Sequence, residues 1–237
     1  MKKTNETSEG HVPFLEGGAV GLAEAPEATP CTAAAAKPAR KPRGRPLSFD
    51  RDAALETAMH VFWERGYEAA SISDLTSAMG ITPPSLYTAF GDKEQLFLEA
   101  IERYALGYGS AGARALNEEP SARSAIERWL TEAANELTQP CHPKGCMVVM
   151  AATNCSAAAE RVQDALLLRR TEAIASVGRR IQGGIEAGEL PADTDAKDLA
   201  NFYATIYQGM SMQAKDGATH ENLMATVRTA MRSWPRM

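Results

Sequence analysis

The residue types best suited to metal or thiol chemistry cluster in one short segment, Cys141-His142-Pro143-Lys144-Gly145-Cys146. Met147, Met150 and Cys155 follow it. Soft thiolate and thioether ligands suit Cu(I) or Zn. A basic neighbour can instead lower the pKa of a thiol and make it a sensor of oxidants or electrophiles, and cysteine is also often buried as a small apolar residue. Three hypotheses follow: core packing, thiol sensing and metal binding.

Thiol sensing would use Cys141, Cys146 and Cys155, and we expect Cys146 to be the most reactive of the three. The spacing of the segment matches no standard zinc motif, so the sequence assigns no metal ligand. A catalytic Cys–His pair would also need a third group to orient the His and a site for an oxyanion. Because neither is visible, we expect no enzyme activity, no catalytic residue and no cofactor.

A second segment with distinctive chemistry is Lys41-Pro42-Arg43-Gly44-Arg45-Pro46, which contains the Arg-Gly-Arg-Pro core of an AT-hook. Glycine lets such a backbone lie deep in a narrow minor groove while the flanking arginines fill it. Tracts of A·T pairs concentrate negative potential in that groove. We therefore predict that Arg43 and Arg45 contact DNA, with a solvated basic linker as the alternative.

The net charge of -5 hides this basic segment. Residues 37–46 carry five basic side chains and no acid, whereas residues 47–105 carry four basic and ten acidic side chains. The segment would thus supply the cationic charge that the acidic region lacks for binding phosphates. The first 46 residues nearly lack large apolar side chains, and such composition predicts a disordered arm.

The rest of the composition places the chain among cytoplasmic proteins. No apolar run approaches the roughly 20 residues that a transmembrane helix needs, so we expect no membrane contact. The four cysteines are too few and too unevenly spaced for a disulfide framework, which indicates a reducing compartment.

Two short amphipathic patterns flank Gly80-Ile81-Thr82. Ser71 and Asp74 have the spacing of a capping box for the first helix. Thr82 followed by Pro83 is typical of the start of the second helix, and Gly80 suits a left-handed turn. This arrangement predicts a helix-turn-helix, whose second helix enters the major groove of DNA.

The outer face of that second helix has no Arg, Asn or Gln, so hydroxyl and apolar contacts must read the bases. The helix starts after Ser71 and Asp92 would bind phosphates, since free amides and the helix dipole favour an anion there. Besides Arg43 and Arg45, the predicted DNA contacts are Ser71, Thr82, Pro83, Ser85, Tyr87, Thr88 and Lys93.

Apolar stripes at helical spacing continue to Trp234, which predicts an all-α fold. One long helix is expected from about Glu160 to Ala187. The stripes within 199–210 and 223–234 are more apolar than one small domain needs, so two-fold pairing of subunits would bury them. Candidate effector contacts are Trp129, Met147, Met150, Phe202, Tyr203, Tyr207 and Met210, although such residues often belong to the core instead.

Within the stretch 44–104, four runs of residues form a recognisable pattern: Ala58-Met59-His60-Val61-Phe62-Trp63-Glu64-Arg65-Gly66-Tyr67, Ile72-Ser73-Asp74-Leu75, Met79-Gly80-Ile81 and Ser85-Leu86-Tyr87-Thr88-Ala89-Phe90-Gly91-Asp92-Lys93-Glu94. This stretch, about a quarter of the chain, resembles the N-terminal domain of TetR/AcrR-type transcriptional regulators. Thr76 departs from the pattern of that family, which usually has Ala, and the tandem Pro83-Pro84 is less usual.

The resemblance implies an all-helical homodimer that binds palindromic operator DNA and is released by a small-molecule inducer. It also implies that the last two long helices of each subunit form the dimer as a four-helix bundle. The chain would then divide into an arm (1–46, basic at 37–46), a helix-turn-helix domain (47–105) and an effector-binding and dimerisation domain (106–237).

Two alternative functions remain at this point. One is a regulator that responds to thiol chemistry or to Cu or Zn through Cys141, His142, Cys146 and Cys155. The other is an architectural protein of AT-rich DNA, although such a protein does not need a large helical C-terminal half.

Overall fold

The computed structural model describes residues 49–151, 156 and 159–236. These residues contain helices and no strand, so the predicted all-α class is confirmed. None of the described helices is long and apolar enough to span a membrane. The helices are α1 (Arg51–Arg65), α2 (Ile72–Met79), α3 (Pro83–Phe90), α4 (Lys93–Leu106), α5 (Ser110–Glu118), α6 (Ala122–Leu137), α7 (Met147–Met150), α8 (Glu160–Glu186), α9 (Ala196–Lys215) and α10 (His220–Met231).

Side-chain caps begin the first four helices, and three of them, at Ser71, Thr82 and Asp92, lie where the sequence predicts a helix start. The Asp50 carboxylate accepts hydrogen bonds from two amides of the first turn of α1. Ser71 and Asp74 form the expected capping box at α2. Thr82 caps α3 and Asp92 caps α4, each by accepting from the amide three residues later. Because these caps satisfy amides that have no partner within the helix, they fix where each helix begins.

The first four helices pack around one apolar centre. Met59, Phe62, Leu75, Leu86 and Phe97 are fully buried there. The rings of Phe62 and Phe97 meet edge to face at 5.0 Å between centroids, a geometry that aromatic pairs favour. This core joins α1 and α4 to the pair α2–α3 and so holds α3 at a fixed angle.

The remaining helices form a larger bundle in which α5 packs along α6, and α9 packs against both α8 and α10. Helix α4 connects the two parts and runs beside α8. Arg161 of α8 lies 2.7 Å from the Glu94 carboxylate, and Arg169 pairs with Glu102 two turns further along. The N-terminal helices are therefore tied to the bundle along the length of α4.

Helix α8 agrees closely with the long helix expected from about Glu160 to Ala187. The last helix is shorter than its stripe suggests, because α10 ends at Met231 and Trp234 follows it in a turn. Helix α5 was not expected, since its nine residues carry only one large apolar side chain, Leu116. Helix α7, which follows Cys146, is a single turn.

Parts of the sequence predictions fall outside the described residues. These are the arm (1–46) with Arg43 and Arg45, and the third thiol, Cys155.

Candidate DNA-binding surface and effector cavity

Helix α3 presents one side of itself to solvent and buries the other. Leu86 and Phe90 face the core. Of the predicted base contacts, Ser85 is half-buried and the others are exposed, and Pro84 is exposed beside them. The exposed side chains of this helix and its cap are Thr82, Pro83, Pro84, Tyr87 and Thr88.

The turn before α3 is built around Gly80, which has φ = +65° and ψ = +30°. This left-handed conformation is available to glycine without a steric penalty. The next amide, of Ile81, donates back to the Thr76 carbonyl at 3.1 Å. The Thr76 hydroxyl, which replaces the usual Ala, donates to the Ile72 carbonyl at 2.8 Å and so is satisfied in its buried position.

Most hydroxyls of α3 are partly used within the helix. Thr82 Oγ1 accepts from the Ser85 amide at 3.4 Å and lies 3.0 Å from Ser85 Oγ. The Thr88 hydroxyl donates to the Pro84 carbonyl at 2.8 Å, so towards DNA it can only accept. Tyr87 is 51% exposed, and its hydroxyl has no hydrogen-bond partner among the described residues.

The start of α2 carries its own anion. Asp74 Oδ2 accepts from the Ser71 amide at 3.0 Å and from the Ser71 hydroxyl, while Oδ1 lies 2.6 Å from Arg65 Nη1. The Ser71 hydrogen bonds, followed by Arg65, lower the pKa of Asp74 to about 2. A phosphate near Ser71 would therefore meet a carboxylate that is ionised at neutral pH.

Lys93 lies at the first position of α4, as predicted, but its ammonium is engaged within the domain. Lys93 Nζ donates to the Glu68 carbonyl at 3.3 Å and lies 4.4 Å from the centroid of the Tyr67 ring. An ammonium has three donors, so this position does not by itself prevent contact with a phosphate.

The other cations of residues 49–105 are also paired. Arg51 bonds the Glu99 carboxylate at 2.7 Å, Arg65 bonds Asp74, and Arg103 bonds Glu56. With Lys93 these are all four basic residues of that stretch, against ten acidic ones. Its surface therefore has little positive charge of its own to offer the DNA backbone.

A cavity of about 340 Å³ lies between the α4–α5 junction, α6, α7, α8 and α9. Its lining is mostly apolar and includes Leu116, Val148, Val149, Ile174 and Val177. The rings of Trp129 and Tyr207 stack on each other at 5.3 Å on its wall. Size and lining are those of a small-molecule site.

Three polar side chains meet at the wall of this cavity. The Tyr104 and Tyr207 hydroxyls both lie next to the Cys146 thiol. Burial, followed by the neighbouring Cys146, raises the pKa of both tyrosines well above the usual range, so both stay neutral. The Cys146 amide donates to Ser211 Oγ at 2.8 Å, which anchors the segment to α9.

Comparison with known proteins identifies both halves of the chain. Residues 54–100 match the family model of bacterial regulatory proteins of the tetR family, and residues 122–231 match that of a tetracyclin repressor-like C-terminal domain. The transcriptional repressor ComR of Escherichia coli is 37% identical over 199 residues, which span 84% of this chain and 95% of ComR. The chain belongs to the TetR family. It is a DNA-binding transcriptional regulator of the repressor class and not an enzyme.

Two further relatives of this TetR-family regulator match it over most of their own lengths. The repressor BdcR of Escherichia coli is 27% identical over 199 residues, spanning 79% of this chain and 90% of BdcR. A solved structure of a cysteine-substituted CifR, complexed with 26-bp double-strand operator DNA, is 48% identical, with a TM-score of 0.78 over 81% of this chain and 100% of CifR.

The regulator's cavity includes two of the seven predicted effector contacts, Trp129 and Tyr207. Met147, Tyr203 and Met210 are fully buried in the core, Met150 lies near Gly145, and Phe202 is exposed on the outer side of α9. These five residues therefore do not line the cavity. Helical spacing identifies buried positions but cannot distinguish a packed core from the wall of a cavity.

The predicted thiol cluster is divided by the structure. Cys146 is buried at the cavity, whereas Cys141 is half-buried on the preceding turn. Among the described residues, no three His, Cys, Asp or Glu side chains are close enough to hold a metal ion together. The described segment therefore gives no support to the metal-binding hypothesis.

Sequence reasoning missed several residues of the cavity wall. Tyr104 belongs to the amphipathic stripe of α4, which marked it only as core. Gly112 is equally hidden in the sequence: a Cβ there would lie 2.8 Å from Trp129 Cδ1, so glycine lets α5 approach the indole. Arg169 and Arg170 also line the cavity, and only their position on α8 shows it.

Proposed function

We propose that this TetR-family regulator binds a palindromic operator in the cytoplasm as a homodimer and is released when a small molecule enters the 340 Å³ cavity. The cavity is the observation that carries the proposal, because it lies directly behind α4, the helix that joins it to the DNA-binding helices. A ligand that binds only one arrangement of these helices shifts the population towards that arrangement.

The paired cations at the cavity point to an uncharged, largely apolar ligand. Arg169 bonds Glu102, and Arg170 Nη1 donates to the Val148 carbonyl at 3.1 Å. The two guanidinium charges are balanced by Glu102 and by Glu172, which also lines the cavity, so the wall carries little net charge, whereas the tyrosine hydroxyls and Gln208 can hydrogen-bond one polar group.

A mutation at the cavity mouth tests this site. Ala113 is exposed and lines the cavity, so Ala113→Trp covers the mouth without entering the core. Ala187→Trp, at the exposed end of α8, is the matched control. Native mass spectrometry of freshly purified dimer should find a ligand in the wild type and control but not in Ala113→Trp. Equal retention by both variants would place the ligand elsewhere.

Subunit pairing through α9 and α10 is the proposed basis of the dimer. On α9 an uncharged exposed row repeats at helical spacing: Phe202, Thr205, Gly209 and Met212. On α10 small residues, Ala225 and Thr229, are exposed in the same way. Two-fold pairing would bury both rows and make each residue contact the equivalent face of the partner.

Phe202→Glu tests this interface, because it places two like charges near the two-fold axis and removes apolar area worth about 1.5–3 kcal/mol per side chain. Sedimentation should show at least a hundredfold weaker dimer. Leu167→Glu is the control, since Leu167 is an exposed apolar residue of α8. Dimers of unchanged strength in Phe202→Glu would contradict pairing through α9.

The DNA contacts are proposed to divide into base readers and phosphate binders. Thr82, Pro83, Ser85 and Thr88 would read bases, whereas the Tyr87 hydroxyl, Lys93 and the amides at the helix starts near Ser71 and Asp92 would hold phosphates. Pro84 joins the first group, since it is exposed on the same helix.

DNA selected by the wild type from a random pool allows these roles to be tested. Ser85→Ala should change base preference, whereas Tyr87→Phe, which removes only the hydroxyl, should weaken all sequences equally. Lys93→Ala should do the same and make the dependence on salt shallower. A change of base preference in Lys93→Ala with an unaltered salt slope would contradict this division.

Thiol sensing through Cys146 is a second candidate, favoured by the two tyrosine hydroxyls that converge on its sulfur in the cavity. The related CifR was solved in complex with operator DNA as a cysteine mutant, which assigns no role to Cys146. Electrophile labelling followed by peptide mass mapping tests it, with Cys146→Ser as the control. Labelling of Cys141 and Cys155 that leaves Cys146 untouched would rule it out.

A further inference from the structure

The side chain of His142 is fully buried between the DNA-binding helices and the effector bundle. Its ring stacks on the indole of Trp63 in α1, with centroids 4.4 Å apart and planes inclined by 21°. The ring of Tyr108, from the α4–α5 junction, meets it edge-on at 5.0 Å.

An oxygen atom lies close to each nitrogen of this ring. Nδ1 lies 2.9 Å from the Pro143 carbonyl oxygen, and because a carbonyl can only accept, Nδ1 must donate. Nε2 lies 3.1 Å from Glu136 Oε1, at hydrogen-bonding distance although poorly aligned. An unprotonated Nε2 would direct its lone pair towards the lone pairs of the carboxylate oxygen while the imidazole is buried, whereas a protonated Nε2 is attracted to the carboxylate.

We infer that His142 is an imidazolium, held by Glu136 and the Pro143 carbonyl, and that it is the positioning residue that fixes α1, and through it α3, relative to the effector cavity. A cation over the face of a tryptophan is stabilised further by the ring's quadrupole. This inference goes beyond the proposed release by a ligand. It rests on the proposed function only in assuming that the cavity binds a ligand whose presence changes DNA binding.

The surrounding charged groups do not compete for this role. Tyr108 stays neutral, since burial, followed by Glu56, raises its pKa to about 12. Glu56 is occupied by Arg103 and lies 3.4 Å from His60, and Lys144 donates to the Thr138 carbonyl. Cys141, which precedes His142, acts on Tyr108 and adds to the rise of its pKa. Glu136 is therefore the anion that faces the imidazole.

The same tryptophan connects this contact to the cavity. Trp63 Nε1 donates to the Gly145 carbonyl at 2.9 Å, and the next residue, Cys146, lines the cavity. Gly145 has φ = +81°, and a Cβ there would lie 2.9 Å from the Ser211 carbonyl oxygen, so this turn has little freedom to adapt. A displacement at Cys146 thus reaches α1 through a short and rigid path.

Nitrogen-15 NMR of the full-length dimer labelled in histidine tests the charge directly. His142→Gln identifies the His142 signals among those of the four histidines. We expect both ring nitrogens of His142 to show the chemical shifts of protonated nitrogens at pH 7. The shifts of a neutral tautomer, with one bare nitrogen, would overturn the inference.

Affinity for the selected operator tests the positioning role. Glu136→Gln and His142→Gln should each weaken binding by about tenfold, the usual scale of coupling between sites, and the double variant should be no weaker than either. Glu127→Gln, on the same helix and paired with Arg123 at 3.2 Å, is the matched control. Thermal unfolding by circular dichroism accompanies each variant, and Glu136→Gln keeps the test valid if His142→Gln does not fold.

Wild-type affinity in both Glu136→Gln and His142→Gln would also overturn the inference. A failure of the proposed function appears differently, as a wild type that enriches no DNA sequence, while the NMR result stands without DNA.

Discussion

The arm's positive charge can be tested most sharply at Arg43 and Arg45. Replacing both by Gln removes four charges from a dimer. In residues 49–105 every basic side chain already has a partner within the protein, so charge lost from the arm cannot be replaced nearby. The double variant should therefore bind DNA more weakly and depend less on salt.

The size of the effect follows from counterion release. Each phosphate neutralised adds about 0.9 to the slope of log K against log salt, so the loss of four contacts should make the slope shallower by about 4. Between 50 and 200 mM salt, the affinity of the wild type should then fall about a hundredfold more than that of the variant.

Fluorescence anisotropy with the selected operator, titrated across that salt range, measures both slopes. Arg43→Lys with Arg45→Lys keeps the charge and should keep the slope, while losing the planar guanidinium that fits a narrow minor groove. Lys2→Gln with Lys3→Gln removes the same number of charges from the acidic end of the chain and should have little effect. An unchanged slope in the Gln variant would refute the reasoning. Deletion of residues 1–46 should weaken binding but keep operator specificity, whereas total loss of binding would indicate an architectural role.

Three further predictions concern stability. Leu75→Ala removes a fully buried side chain from the helix-turn-helix and should lower the free energy of unfolding by about 3 kcal/mol in urea titrations; a change below about 1 kcal/mol would mean that the site collapses around the gap. Gly145→Ala should destabilise by roughly 2 kcal/mol or more, because φ is positive and the new Cβ would meet backbone, and thermal unfolding measures it. For Asp74, a pKa lowered from 3.8 to about 2 means that its ionised form stabilises the fold above about pH 4 and that this contribution is lost as pH falls towards 2. Asp74→Asn should flatten this part of the acid-unfolding curve, and an identical curve would show that the carboxylate does not contribute.

The local part of the fold could be predicted from the sequence because its signals are local. The capping box Ser71–Asp74, the glycine at 80 and the Thr82–Pro83 start act within one or two helical turns, and all three are confirmed. Helix α5 had no such signal, because Gly112 lowers helix propensity and its benefit, room for Trp129, appears only in three dimensions.

The effector site could be predicted only in part, for the same physical reason. A tryptophan or methionine at helical spacing points inward both in a packed core and at the wall of a cavity. The spacing therefore does not show whether the interior beside it is filled. Trp129 borders a cavity that the small residues Gly112 and Ala204 also line, whereas Tyr203 is fully buried and its ring centroid lies 5.8 Å from that of Trp234. Whether an inward-facing residue borders a cavity depends on the size of residues that are distant in the sequence.

In the Cys-His segment the sequence reveals an unusual set of residue types but not which residues they contact in the fold. The sequence places His142 beside two cysteines, which suggests a shared ligand or a lowered thiol pKa. In the structure the two cysteines separate, Cys146 towards the cavity and Cys141 towards the surface, and the imidazole between them turns to Trp63 and Glu136. Glu136 lies on α6 and Trp63 on α1, so no local pattern could pair them. The segment is therefore better understood as a joint between two helical units, with the thiol on one side of it and the DNA-binding helices on the other.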